Sequence, residues 1–168
     1  MAYHNKVYVS MDADNDLQYY YLMKAWKQND NIGFDFCDAH DLNTILDKSE
    51  ESIKVGLQER FRHTKVFVLL VGEHTKYLYR FVRWEIEQAI KRDLPCIVVN
   101  INGKRSCDDN LCPSLMKEHL AIHISFNAKI LQYALENWPE SVDQKKRSGD
   151  TGPFYYKEEV YRELGVIK

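Results

Sequence analysis

The sequence lacks apolar runs long enough to cross a bilayer, an excess of charge of one sign, and a secretion signal. Its longest apolar stretches, VFVLLV and CIVVNI, fall far short of the roughly 20 residues that a membrane-spanning helix needs. Basic and acidic residues number 23 and 25, and the net charge of -2 provides no positive field for nucleic acid or an anionic membrane. We therefore expect a cytoplasmic protein that binds neither partner.

Glycine-rich nucleotide signatures are also missing. No GxGxxG follows the first apolar stretch, and no GxxxxGK[ST] occurs, which argues against the usual dinucleotide-binding and P-loop sites. The four cysteines, at positions 37, 96, 107 and 112, are expected to be reduced thiols rather than a disulfide framework.

A zinc site is considered because four suitable ligand types lie close in sequence. They are Cys107, Cys112, His119 and His123. Only six residues separate Cys112 from His119, whereas two-Cys, two-His sites place about 12 residues there, and His123 falls within a strand-like run. We therefore predict no metal site.

Short apolar stretches alternate with amphipathic ones along the chain. The 168 residues, 45% of them hydrophobic, suit one domain with a core at about 6–138, followed by a loop and a short closing helix within 139–168. Strands are predicted at 6–10, 33–38, 66–72, 96–102 and 121–126, and helices at 16–28, 49–62, 79–92 and 128–138.

The stretch VFVLLVG at 66–72 is apolar at every position before its glycine, which is typical of a central parallel strand covered on both faces. Alternating strands and helices predict a doubly wound α/β fold, with a five-stranded, mainly parallel sheet and helices on both faces. Ligands of such sheets bind at the carboxyl ends of the strands, where the strand order reverses.

Glu85 stands out near the start of the helix predicted at 79–92. At 100° per residue, Val82, Ile86 and Ala89 share one inward stripe, and Glu85 lies about 60° from it. Glu85 is therefore expected to be partly sheltered and close to the strand ends. A simpler interpretation stays open, in which Glu85 only interacts with the helix dipole or pairs with Arg83.

Two stretches, KVYVSMDADND and VFVLLVGEHTKYLYRFVRWEIEQAIKRDLPCIVVNI, resemble the TIR domain, and more closely the bacterial TIR-like proteins of the Thoeris antiphage defence type. The resemblance spans residues 6 to about 102. The chain lacks the Arg-Asp and Pro-Gly pattern of receptor TIR domains, which favours the bacterial branch. The resemblance implies a flavodoxin-like fold.

Individual residues also match the pattern of this family. Ser10 and Asp14 match the serine and the acidic residue that follow the first strand, with Met11 in place of the usual aromatic residue. Phe81 and Glu85 occupy the places of an aromatic residue and, four positions later, the catalytic glutamate. The resemblance implies that Glu85 helps to cleave NAD+ at the nicotinamide–ribose bond. In some members of the family, ADP-ribose is then closed into a cyclic signalling nucleotide.

Further residues are candidates for contact with NAD+, which would be a substrate rather than a cofactor. Ser10, Met11 and Asp12 at the first strand tip could contact it, Asp38 and His40 could border the crevice mouth, and Phe81 could pack against a ring. These residues could equally cap turns or belong to the core.

Partners and rival functions follow from the same resemblance. The expected partners are NAD+, a nucleotide-sensing effector that responds to the product, and a second copy of the chain. Two alternatives stay open: a non-catalytic interaction module, for which 11 tyrosines offer contact surface, and an enzyme similar to nucleoside deoxyribosyltransferases.

Overall fold

The computed structural model describes residues 6–28, 35–36 and 49–168. Within these ranges the chain alternates strands and helices as expected, with one 3-10 turn at Thr75–Tyr77. The strands are β1 (Lys6–Ser10), β2 (Asp35–Phe36), β3 (Val66–Val71), β4 (Cys96–Asn100), β5 (Ala121–Ser125) and β6 (Pro153–Tyr155). The helices are α1 (Leu17–Gln28), α2 (Glu50–Arg62), α3 (Val82–Lys91), α4 (Ser114–Glu118), α5 (Ala128–Arg147) and α6 (Glu158–Glu163).

The six described strands pair in parallel in one sheet, in the order β2-β1-β3-β4-β5-β6. The chain moves outward from β1 to β2 and then crosses to β3, so the strand order reverses between β1 and β3. This arrangement confirms the doubly wound, flavodoxin-like fold, and the short strand β6 extends the expected five strands at one edge. The ligand crevice of such a sheet lies at the carboxyl ends of β1 and β3.

Side chains of the central strand pack into two hydrophobic cores, one on each face of the sheet. Val66, Val68 and Leu70 pack into the core under α1 and α5, and Phe67 and Leu69 pack into the core under α2, α3 and α4. Every residue of β3 is buried, as the uninterrupted apolar stretch predicts for a strand covered on both faces.

The loop predicted from residue 139 onward is wrong, because α5 continues through Pro139 to Arg147. Proline costs about 3 kcal/mol inside a helix, since it removes one hydrogen bond and crowds the preceding turn. Here Trp138 and Val142 lie one turn apart on the buried face, so burial on both sides of the proline outweighs that cost. The chain then returns as β6 beside β5, where Phe154 packs against Trp138 with ring centroids 6.0 Å apart.

Across the described ranges, no helix combines the length and apolar character that crossing a bilayer requires.

Candidate active site

Glu85 lies in the first turn of α3 and is only 2% exposed. It shares the buried face of this helix with Val82, Ile86 and Ala89. Because α3 follows β3, its first turn lies at the carboxyl edge of the sheet. The glutamate therefore lies within the inward face rather than on its flank, next to the point where the strand order reverses.

Ser10 holds the Glu85 side chain from the neighbouring strand. Ser10 is the last residue of β1 and is fully buried, and its Oγ donates a hydrogen bond of 3.1 Å to Oε1 of Glu85. The Arg83 guanidinium instead pairs with Glu87 at 3.2 Å, which excludes the simpler interpretation of a Glu85–Arg83 ion pair. Among the described residues, Glu85 takes part in no ion pair.

Burial raises the pKa of Glu85 from its usual 4.5 to about 7, although hydrogen bonding from Tyr8 and Ser10 opposes the shift. Desolvation has the larger effect on the pKa, because the low-polarity surroundings disfavour the charged form more than two hydroxyl groups can stabilise it. The second oxygen, Oε2, is buried and makes no well-formed hydrogen bond to any described residue. A buried carboxyl group with one unsatisfied oxygen and a pKa near neutrality is typical of functional sites.

Two other candidates at the tip of β1 have local structural roles in this state. The Asp12 carboxylate accepts hydrogen bonds from the backbone N–H of Asp14 (3.0 Å) and Asn15 (3.3 Å) and from the Asn15 amide (2.6 Å), which orders the turn before α1. Met11 packs into the hydrophobic core on the α1 side of the sheet, opposite Glu85. Contact of either residue with a substrate stays a prediction.

The remaining candidates differ in what the structure describes. Phe81 is the N-cap of α3, is partly buried and packs against the same core as Val82 and Ile86. Asp38 and His40 lie outside the described residues.

A further buried acid at this edge of the sheet was missed by the sequence analysis. Asp16 is 7% exposed, burial and the nearby Asp12 raise its pKa, and its Oδ2 has no hydrogen-bond partner among the described residues. Asp16 lies against Gly72, where an added Cβ would come within 2.3 Å of Oδ2, so any larger residue there would displace the Asp16 carboxylate. The sequence feature that could have indicated this close approach is the glycine directly after the central strand.

An open cleft of about 330 Å³ lies beside this acid. It is lined by Asp16, by Gly72 and His74 after β3, and by Asn102 after β4, among others. Its volume falls within the range of small-molecule sites, and it opens at the edge of the sheet where ligands of such folds bind. Glu85 does not line this cleft.

The family profile for the TIR-like domain of the Thoeris protein ThsB matches residues 2–106, well over half of the chain. No curated protein matches the chain.

Proposed function

Since the chain belongs to the family of Thoeris ThsB TIR-like domains, we propose that it cleaves NAD+ at the nicotinamide–ribose bond, with Glu85 as the catalytic carboxylate. The observation that carries this proposal is the burial of Glu85 at the switch point of the sheet, without a cationic partner among the described residues. A buried acid with no cation to neutralise it is costly to the fold, which favours a functional role over a structural one.

The reaction requires little more than one well-placed anion. Nicotinamide leaves NAD+ as a neutral base without being protonated, so the general acid of ordinary glycoside cleavage is unnecessary. Positive charge then develops on the ribose, and a carboxylate in a site sheltered from water stabilises that charge strongly. Ser10 fixes Oε1 of Glu85, and a ribose hydroxyl would donate a hydrogen bond to Oε2 once the site opens, since Oε2 is buried in this state.

The raised pKa of Glu85 fits a substrate that carries positive charge. With a pKa of about 7, the carboxyl group is roughly half protonated at neutral pH before the substrate arrives. The nicotinamide ring of NAD+ is cationic, and an opposite charge nearby favours the ionised carboxylate. Substrate binding would thus complete the ionisation that catalysis needs.

Residues other than Glu85 would also contact the substrate. Ser10, Met11, Asp12 and Phe81, with Asp38 and His40 at the mouth, would contact NAD+, which serves as substrate, with no further cofactor. We propose a cyclic ADP-ribose type of product that acts on a nucleotide-sensing effector during antiphage defence in the cytoplasm. Self-association of the chain is an additional proposal, because assembly can close such a site.

Release of nicotinamide from NAD+ tests the catalytic proposal. The wild-type protein is assayed at high protein concentration beside Glu85→Gln and a matched control, Glu87→Gln, which removes an exposed carboxylate two residues away on the same helix. Glu85→Gln should lower nicotinamide release at least a hundredfold, and Glu87→Gln should leave it within about twofold of wild type. Comparable release by both variants would refute the catalytic role of Glu85.

Chromatographic mobility and mass of the product distinguish linear from cyclic ADP-ribose. Transfer of a sugar between bases without nicotinamide release would favour the alternative of a nucleoside deoxyribosyltransferase-like enzyme.

An interaction module is the second candidate, supported by exposed aromatic side chains beside the start of α3. Tyr77 and Tyr79 are 57% and 67% exposed, and tyrosine is enriched at the core of protein–protein interfaces. If this surface assembles copies of the chain, alanine substitution at both tyrosines should shift the sedimentation of the protein towards monomer. Assembly that depends on these tyrosines, in a protein that neither binds nor cleaves NAD+, would favour the interaction module.

A further inference from the structure

We propose that Cys107, Cys112 and His123 form a binding site for one zinc ion. The two thiol sulfurs and an imidazole nitrogen lie within 4.8 Å of one another. This proposal revises the expectation of no metal site. It is independent of NAD+ cleavage, because none of the three residues contacts Glu85 or Ser10 in the hydrogen bonds described above.

A tight turn brings the two cysteines together. The Asp108 carboxylate accepts hydrogen bonds of 3.0 Å from the backbone N–H groups of Asn110 and Leu111. The backbone N–H of Cys112 then donates to the Asp108 carbonyl oxygen at 2.9 Å, which folds the chain back on itself. The spacing of four residues between Cys107 and Cys112 is within the range that pairs of zinc-binding cysteines use.

His123 supplies the third ligand from the middle of β5. It is fully buried, and neither ring nitrogen has a hydrogen-bond partner among the described residues. Buried polar groups are almost always satisfied, so an imidazole with two unsatisfied nitrogens requires an explanation. Its strand neighbours Ile122 and Ile124 face the opposite core, which turns His123 towards the turn that carries the cysteines.

The geometry needs only a small adjustment to hold the ion. Zinc binds sulfur at about 2.3 Å and histidine nitrogen at about 2.0–2.1 Å, so tetrahedral ligand atoms lie about 3.5–3.8 Å apart. A contraction of about 1 Å from the observed spread therefore suffices. Cys107 is partly exposed, which leaves one side open for a water molecule as the fourth ligand.

The charges balance when a divalent ion binds. Both thiols release their protons to solvent, and the two resulting thiolates cancel the charge of the ion while the imidazole stays neutral. Two sulfurs and one nitrogen favour zinc over magnesium or calcium, which bind oxygen ligands. Zinc would fix the segment between β4 and β5 onto the sheet, beside the core that also packs against α3.

Cobalt titration of the reduced, full-length protein tests the site. After removal of bound metal with a chelator, one equivalent of Co2+ should produce thiolate-to-metal charge-transfer bands and the visible bands of a tetrahedral complex, and Zn2+ should displace it. Cys107→Ser should weaken Co2+ binding at least tenfold. The matched control, His119→Gln, alters a histidine of the same segment that is outside the cluster and should bind as wild type does.

Three results would overturn the proposal: no saturable uptake of Co2+, equal uptake by Cys107→Ser, or a Cys107–Cys112 disulfide in protein purified under reducing conditions. Thermal unfolding supplies a second measurement that needs no cysteine variant. Zinc at a hundredfold excess over its Kd should raise the Tm of wild type and His119→Gln alike by about 5 °C or more. Glu85→Gln should also bind Co2+ normally, so failure of one proposal is distinguishable from failure of the other.

Discussion

Glu85 should make the stability of this protein fall as the pH rises, and Glu85→Gln should remove that dependence. Burial raises the pKa of this carboxyl group from 4.5 to about 7, so the folded chain holds the proton more tightly than the unfolded chain does. The stabilisation from this proton is fully present below about pH 4.5 and is lost as the pH rises through about 7. Glutamine stays neutral over the whole range.

The magnitude follows from the size of the shift. One pKa unit corresponds to about 1.4 kcal/mol, so the ionised carboxylate at pH 8 destabilises the fold by about 3 kcal/mol relative to the protonated form. At pH 5 most of the penalty is absent, because the folded protein is still protonated at Glu85. The free energy of unfolding of Glu85→Gln, relative to wild type, should therefore increase by about 2–3 kcal/mol from pH 5 to pH 8.

Urea unfolding at pH 5, 6.5 and 8, followed by tryptophan fluorescence, measures this difference. The change with pH is the diagnostic quantity, since an imperfectly bonded glutamine amide would shift all values of the variant equally. Glu87→Gln, at an exposed position, should follow the wild-type curve within about 0.5 kcal/mol. Parallel pH curves for wild type and Glu85→Gln would show that the carboxylate is solvated, and the catalytic argument from its burial would fail.

Three further predictions concern the same edge of the sheet. Nicotinamide release per enzyme at low NAD+ should rise with pH and level off above about 7, because the free enzyme must ionise Glu85; a rate that is flat from pH 5.5 to 8.5 would contradict this role. Ser10→Ala should move the rising limb of this pH–rate profile to higher pH, because in wild type the Ser10 hydrogen bond stabilises the charged form of the carboxylate. An unchanged profile would exclude that role for Ser10. Gly72→Ala should destabilise the protein by about 1–3 kcal/mol in urea unfolding, because its Cβ would collide with Asp16, and Asp16→Ala in the same chain should recover part of the loss.

Patterns that repeat within one helix or strand predicted much of this fold. The apolar stretch at 66–72 identified the central strand, and alternation of strands and helices identified the doubly wound sheet, because each depends on local burial. Helix α3 begins at Val82 rather than at 79, since the chain first forms the 3-10 turn in which Thr75 Oγ1 accepts a hydrogen bond of 2.9 Å from the Gly72 N–H.

Such local patterns do not predict contacts between residues that are far apart in the sequence. Ser10 and Glu85 are separated by 75 positions, and their hydrogen bond exists only because β1 and β3 are neighbours in the sheet. The grouping of Cys107 and Cys112 with His123 was missed for the same reason, since spacing rules describe ligands on a single small motif and here a strand supplies the third. The helical course through Pro139 also depends on tertiary burial of Trp138.

The short strand β6 affects whether copies of this chain associate through the edge of the sheet. It pairs with Ala121, Ile122 and His123 of β5, whose backbone groups would otherwise form an unpaired and apolar border of the sheet. Such borders recruit strands from other molecules and promote aggregation. The returning C-terminal segment thus shields the β5 border, and the exposed turn at Gly149 connects this shield to helix α5.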